Sequence, residues 1–218
     1  MDFEREIEET DDEFTNLLDI LNADADLLWK QIESNDNQIW RRAFCRALFS
    51  LMEGVIFQLK KDILLLREGE GWDLKEEEMK ILTEKKQIKD GTGEISTAPF
   101  YLPFLQNLVY ALEEYAFDNY NFDFKIDRSS PGWSSLKDAL TIRNHITHPK
   151  TFLELNITDE ELKVLKQVEE WFRDTVCDMM MCCAKETFKL VKSLEDNWKR
   201  YEAELTRRNL HKADDQTD

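Results

Sequence analysis

Six glycines and four prolines in 218 residues leave little material for tight turns. That excludes a turn-rich all-β fold and any collagen-like or low-complexity class. Histidine occurs only three times, at 145, 148 and 211. The four cysteines, Cys45, Cys177, Cys182 and Cys183, form no Cys-x-x-Cys pair, so neither a disulfide framework nor a metal site is expected from them. No apolar run reaches the length of a membrane span, and the acidic N-terminus is unlike a secretory signal. The expected setting is the reducing cytoplasm, with no membrane partner. Bases are outnumbered 29 to 46, a net charge of −17, which speaks against a general nucleic-acid coat protein.

Hydrophobic residues reach 42%, enough for a sizeable core. The charge is uneven. Residues 1–26 hold eleven acids against Arg5, a net −10, whereas 27–208 carry only −5. The expected division is an acidic N-terminal arm over 1–35, a helical bundle over 36–208 and a polar tail over 209–218. An acidic end does not forbid a basic cleft elsewhere.

The periodicity is helical almost throughout. Phe14, Leu17, Leu18, Leu21, Leu28 and Ile32 give the arm an apolar stripe, with an interruption expected at Asn22–Asp26. Asp36 or Asn37 caps the next helix, which runs from Ile39 to about Arg67 with Gly54 as its only glycine. A short helix is expected from Asp73, with Glu76 completing a capping box. The stretch from Gln87 to Thr97 reads as a small hairpin or as a loop. Further helices are expected from Ala98 to Phe117, from about Gly132 to His148, and from Asp159 to about Arg208, the last capped by Thr158 and Glu161. Between the first two of these an extended piece is expected at Phe122–Ile126. Pro149 disfavours helical geometry at His148. The final helix outruns the others, so its far end is expected to kink or to serve as an arm or dimer contact. Met179 to Cys183 offers soft metal ligands, but on a helix these five point all round, and core packing is the expected role.

The chemistry concentrates in the string Ile142-Arg143-Asn144-His145-Ile146-Thr147-His148-Pro149-Lys150. Three readings stand. The polar groups cap a helix end and make surface contacts. Alternatively, His145 and His148, three apart, share a metal ion, although no carboxylate sits at a matching offset. In the third, the string performs acid–base chemistry on a phosphodiester. Histidine moves protons near neutral pH, and arginine is a permanent forked cation matched to phosphate oxygens. Residues 125–150 carry Lys125, Arg128, Lys137, Arg143 and Lys150 against two aspartates, a net +3 within an acidic chain.

Arg143-Asn144-x-x-x-His148 resembles the Arg-x4-6-His signature of the HEPN superfamily (higher eukaryotes and prokaryotes nucleotide-binding), where Asn often follows the Arg. A long early helix bearing Arg41, Arg42, Arg46 and Glu53 ahead of the motif adds to the likeness. Glu53 is expected to reach into the bundle as a polar anchor. The resemblance implies an all-α, up-and-down four-helix bundle, here extended by the acidic arm and a long C-terminal helix. It implies a homodimer with both motifs facing one cleft, and metal-independent cleavage of RNA in defence or stress, with no cofactor. An antitoxin or other regulatory protein is the implied partner. By resemblance, His148 is the acid/base, Arg143 binds the scissile phosphate and Asn144 orients one of them. Lys150, Arg128 and His145 are expected substrate contacts. Some members of the family have lost catalysis and only bind nucleotides or proteins. Five residues along a regular helix set Arg143 and His148 about 140° apart. A shared site therefore needs the helix to end before His148, Arg143 to reach round, or a second copy to contribute.

Overall fold

A computed structural model describes residues 3–89, 91 and 94–214, with side chains described within 13–201. The fold is all-α apart from one small hairpin. Its elements are α1 (Phe3–Ser34), α2 (Gln38–Gly69), α3 (Glu76–Thr83), β1 (Lys85–Lys89), β2 (Ile95–Pro99), α4 (Phe104–Tyr120), α5 (Pro131–Thr147) and α6 (Asp159–Asp214), with a single 3-10 turn at Phe152–Leu155. Among the described residues no helix is long and apolar enough to cross a membrane.

Helix α2 is the central rod. Asn37 Oδ1 accepts the Ile39 and Trp40 N–H groups at 2.9 and 3.2 Å, satisfying donors that have no partner inside the helix. Phe44, Leu48, Leu51, Val55, Leu59 and Ile63 recur every three or four residues and are buried, with Met52 beside them. Helix α1 lies antiparallel along it, with Trp29 against Phe44 at 5.3 Å and Glu13 paired to Lys61 at 2.7 Å. Gly54 permits this approach, since a Cβ there would fall 2.6 Å from Leu21 Cδ1. The interruption expected at Asn22–Asp26 does not occur. Ala25 is fully buried, and unbroken helix keeps it in line with Leu21 and Leu28.

The excursion after α2 departs from the sequence expectation in detail. Helix α3 begins at Glu76 rather than Asp73, because the box forms later, with Glu78 accepting the Lys75 N–H at 3.0 Å. Residues before it are held instead by Arg67, whose carbonyl takes the Trp72 N–H and whose guanidinium lies over the Trp72 ring at 5.6 Å. The hairpin reading holds, with Lys85 opposite Pro99 and Lys89 opposite Ile95; Asp90 lies outside the described residues. Helix α4 starts at Phe104, not Ala98. Residues 95–99 are strand, and Pro99 and Pro103 disfavour helix at the positions before them. No strand forms at Phe122–Ile126. Ile126 is buried there, and its N–H reaches Glu113 at 3.4 Å.

Contacts set the helix directions. Phe49 meets Phe104, Lys60 meets Asn107, and Arg67 meets Glu114 and Asp118, so α4 runs the same way as α2. The α3–hairpin excursion makes this possible. Helix α5 runs back, with Trp133 on Trp171 and Ser135 on Gln167 of α6. The capping box of Thr158 and Glu161 starts α6 as expected. The helix then continues unbroken for 56 residues, about 84 Å, through much of the expected tail. Residues 215–218 lie outside the described ones.

Candidate functional site

The site grows from the end of α5. Ser130 Oγ accepts the Trp133 N–H at 3.2 Å and Pro131 occupies the first turn, which fixes where the helix begins. Thr147 is its last residue. His148 is the cap, at φ −129° and ψ 57°, off the helical path, and its N–H still donates to the Asn144 carbonyl at 2.9 Å. The helix therefore stops before His148, as Pro149 leads one to expect, while the Arg143 side chain turns to α2.

Arg143 is half-buried. Its Nη2 donates to Glu53 Oε1 at 2.7 Å, and its guanidinium lies over the Phe49 ring at 5.6 Å. Glu53 thus does not reach into the bundle. It is exposed and faces α5, because its place on α2 lies beyond the buried seam. Arg143 also lines an open recess of about 530 Å³ with Glu53, Phe57, Glu84, Tyr101 and Asn107. Two of these lining residues, Glu84 and Asn107, accept from buried Lys60, which also donates to the Ile81 carbonyl. Burial pulls the Lys60 ammonium below its ordinary range, against the pull of Glu84.

Asn144 and His148 are exposed and share the end of α5. His145 faces elsewhere, into a smaller hollow of about 190 Å³ lined by Leu153, Asn156 and Glu161. Lys150 follows two residues after His148 with its side chain exposed; its N–H donates to Glu154 at 2.8 Å. Arg128 precedes α5, and the 17-residue helix separates it from His148 by about 25 Å along the axis. Arg143, Asn144, His148 and Lys150 are thus gathered at one helix end. His145 turns to another face, and Arg128 is distant.

The +3 of residues 125–150 does not survive folding as a basic patch. Glu113 of α4 pairs with both Lys125 and Arg128, and Glu53 pairs with Arg143. Lys137 and Lys150 make no ion pair among the described residues. Cys45 lies near Arg46 and Arg143, but burial pushes its thiol up to about 12, which leaves it neutral and no nucleophile at physiological pH. Among the described residues, no group of three or more His, Cys, Asp or Glu is placed to hold a metal ion. Met179 and Cys183 are buried in the core while Met181 is exposed, as five consecutive helical positions require.

Arginines of α2 tie down the last turn of α5 and the loop after His148. Arg46 donates to the Ile146 carbonyl at 3.3 Å, Arg42 to Leu155 at 2.9 Å and Arg41 to Ile157 at 2.8 Å. Arg41 also bonds Asp159 at 2.6 Å and pairs with Asp36. That bond holds the Asp36 carboxyl below the usual carboxylate range and raises the Arg41 guanidinium further. The roles of Phe49 and of these carbonyl ties were not read from the sequence. A signal was present: Arg42, Arg46, Phe49 and Glu53 recur at steps of 4, 3 and 4, one face of α2 directed at α5.

Compared with known proteins, the chain matches no family model, no curated protein and no solved structure.

Proposed function

We propose that this chain is a metal-independent endoribonuclease of the HEPN type, with Arg143, Asn144 and His148 as its working residues. The observation that carries the reading is the release of His148 from α5: the histidine stands exposed as the cap residue, one turn from Asn144. In the proposed step the RNA 2′-oxygen attacks the adjacent phosphorus, and the bond to the 5′-oxygen breaks. One histidine takes the proton of the 2′-hydroxyl, and an acid delivers a proton to the departing 5′-oxygen. The products are a 2′,3′-cyclic phosphate and a 5′-hydroxyl. Each motif holds one such histidine, so a second copy facing the first across a cleft supplies the other. Arg143 leaves Glu53 to meet the phosphate as negative charge builds. Lys150 borders the same end and extends the phosphate path. Such an enzyme acts in the cytoplasm, in defence or stress, and an antitoxin or other regulatory protein restrains it.

A second reading has its own support. Arg143 already has two partners, Glu53 and Phe49, and a residue so engaged serves as a tie between α5 and α2. On that reading the chain is a non-catalytic module that binds nucleotides or proteins. Incubating the full chain with mixed cellular RNA in excess chelator separates the two. New ends bearing cyclic phosphate and 5′-hydroxyl are expected of the nuclease. Intact RNA from a folded preparation favours the module.

A further inference from the structure

Helix α6 outlasts the bundle it belongs to. Leu165, Val168, Phe172, Met179 and Cys183 are buried, but every residue from Thr187 to Tyr201 is exposed. Leu190, Leu194, Trp198 and Tyr201 stand 62%, 59%, 64% and 55% open to solvent. These positions continue the buried seam itself. Phe172, Val176, Met179, Cys183, Thr187, Leu190, Leu194, Trp198 and Tyr201 follow at steps of 4, 3, 4, 4, 3, 4, 4 and 3. This eleven-residue period, about 3.67 per turn, nearly matches an undistorted helix and keeps the seam on one side. Beyond the bundle the four large side chains fall within an arc of about 80°, narrower than the face of a membrane-surface helix and suited to one partner helix.

The spacing also reads the same in both directions from Leu194. Leu190 and Trp198 lie four residues away, Thr187 and Tyr201 seven, and Cys183 and Leu205 eleven; the side chain of Leu205 is outside those described. We infer that α6 pairs antiparallel with α6 of a second copy, about a two-fold axis at Leu194. A two-fold contact demands a patch complementary to itself. This seam meets that demand: Leu194 packs on its own counterpart, and Leu190 on Trp198 of the second copy. The same register sets Glu186 on one flank beside Arg200 of the second copy, twice over. Leu190, Leu194, Trp198 and Tyr201 are each more than half exposed, so pairing brings eight large apolar side chains together along one seam.

This contact is distinct from the motif cleft proposed above and does not rest on it. Asp159, at the motif end of α6, lies 35 residues before Leu194, about 52 Å away. Antiparallel arms therefore hold two motifs about 100 Å apart.

The test is the solution mass of the full chain, by light scattering and sedimentation across a concentration series, for wild type and Leu194→Lys. Circular dichroism checks that helix content is retained. The Leu194→Lys mass is expected to be half that of wild type where α6 is the one contact, and to fall to that of a motif-paired dimer where copies also meet at the motif. Glu186→Arg and Arg200→Glu should each weaken association about 3- to 10-fold, and the double variant should return to within twofold of wild type. Residues 186 and 200 cannot touch within one helix, so that rescue reports the antiparallel register. An unchanged mass in Leu194→Lys overturns the inference, as does a wild-type chain that stays a single copy at tens of micromolar, or a double variant no better than the singles.

Discussion

At the start of α5, Trp133 meets Trp171 edge-on at 6.1 Å, and a Cβ on Gly132 would fall 2.1 Å from the same indole. At its finish, Asn144 and His148 are exposed, Arg143 is half-buried, Arg46 ties the last turn through the Ile146 carbonyl, and Arg42 and Arg41 tie the chain beyond through the Leu155 and Ile157 carbonyls. The first end is close-packed, and any added volume must displace a large ring. The second is positioned by charged hydrogen bonds that fix a loop without covering it. The difference explains how one short helix anchors a bundle and still leaves polar groups open to solvent at its far end.

The comparison breaks most visibly at Arg143. Arg143→Ala should lower RNA cleavage by about 10²- to 10³-fold in single-turnover assays, as expected for loss of a charge-stabilising donor. Its cost in stability should stay near about 1 kcal/mol, since it loses one partly exposed ion pair and one ring contact. A stability loss with no cleavage to lose would support the module reading. Gly132→Ala should show the reverse. A denaturant midpoint should report a loss of about 1–3 kcal/mol from overpacking against Trp171, with cleavage per folded molecule unchanged. A neutral result would mean that the tryptophan pair yields easily.

Two smaller effects sharpen the account of the polar end. Arg42→Met keeps the stem and removes the donor to Leu155, so it should cost about 1.5 kcal/mol and speed amide exchange over 152–158. Asp36 gives a pH signature. Its folded carboxyl titrates below the unfolded value, so the stabilisation is present above about pH 4 and is lost as pH falls through the folded value. Thermal unfolding between pH 5 and 2 should therefore decline more steeply in wild type than in Asp36→Asn.

Much of this contrast was legible in the residues themselves. The start of α2 follows from Asn37, the end of α5 from Pro149, and the start of α6 from the Thr158–Glu161 box, because each is a local backbone signal. Where partners come from far along the chain, local reading fell short. The interruption at Asn22–Asp26 looked natural until Ala25 found its place against α2. The +3 of residues 125–150 ignored Glu113 and Glu53, which fold onto it from α4 and α2. His145 and His148 looked like neighbours at helical spacing, but the helix ends between them. The late start of α4 reflects competition, since residues 95–99 pair with β1 before a helix can include them.

The most direct measurement takes wild type and His148→Ala through RNA cleavage in excess chelator and through thermal unfolding, side by side. His148 is exposed and caps a helix through its backbone alone, so the variant should unfold within about 0.5 kcal/mol of wild type. Wild type should leave 2′,3′-cyclic phosphate and 5′-hydroxyl ends, and His148→Ala should cut about 10²- to 10⁴-fold more slowly. Equal cleavage by both proteins, or His148→Ala unfolding far more readily than wild type, would contradict a chemical role for the end of α5.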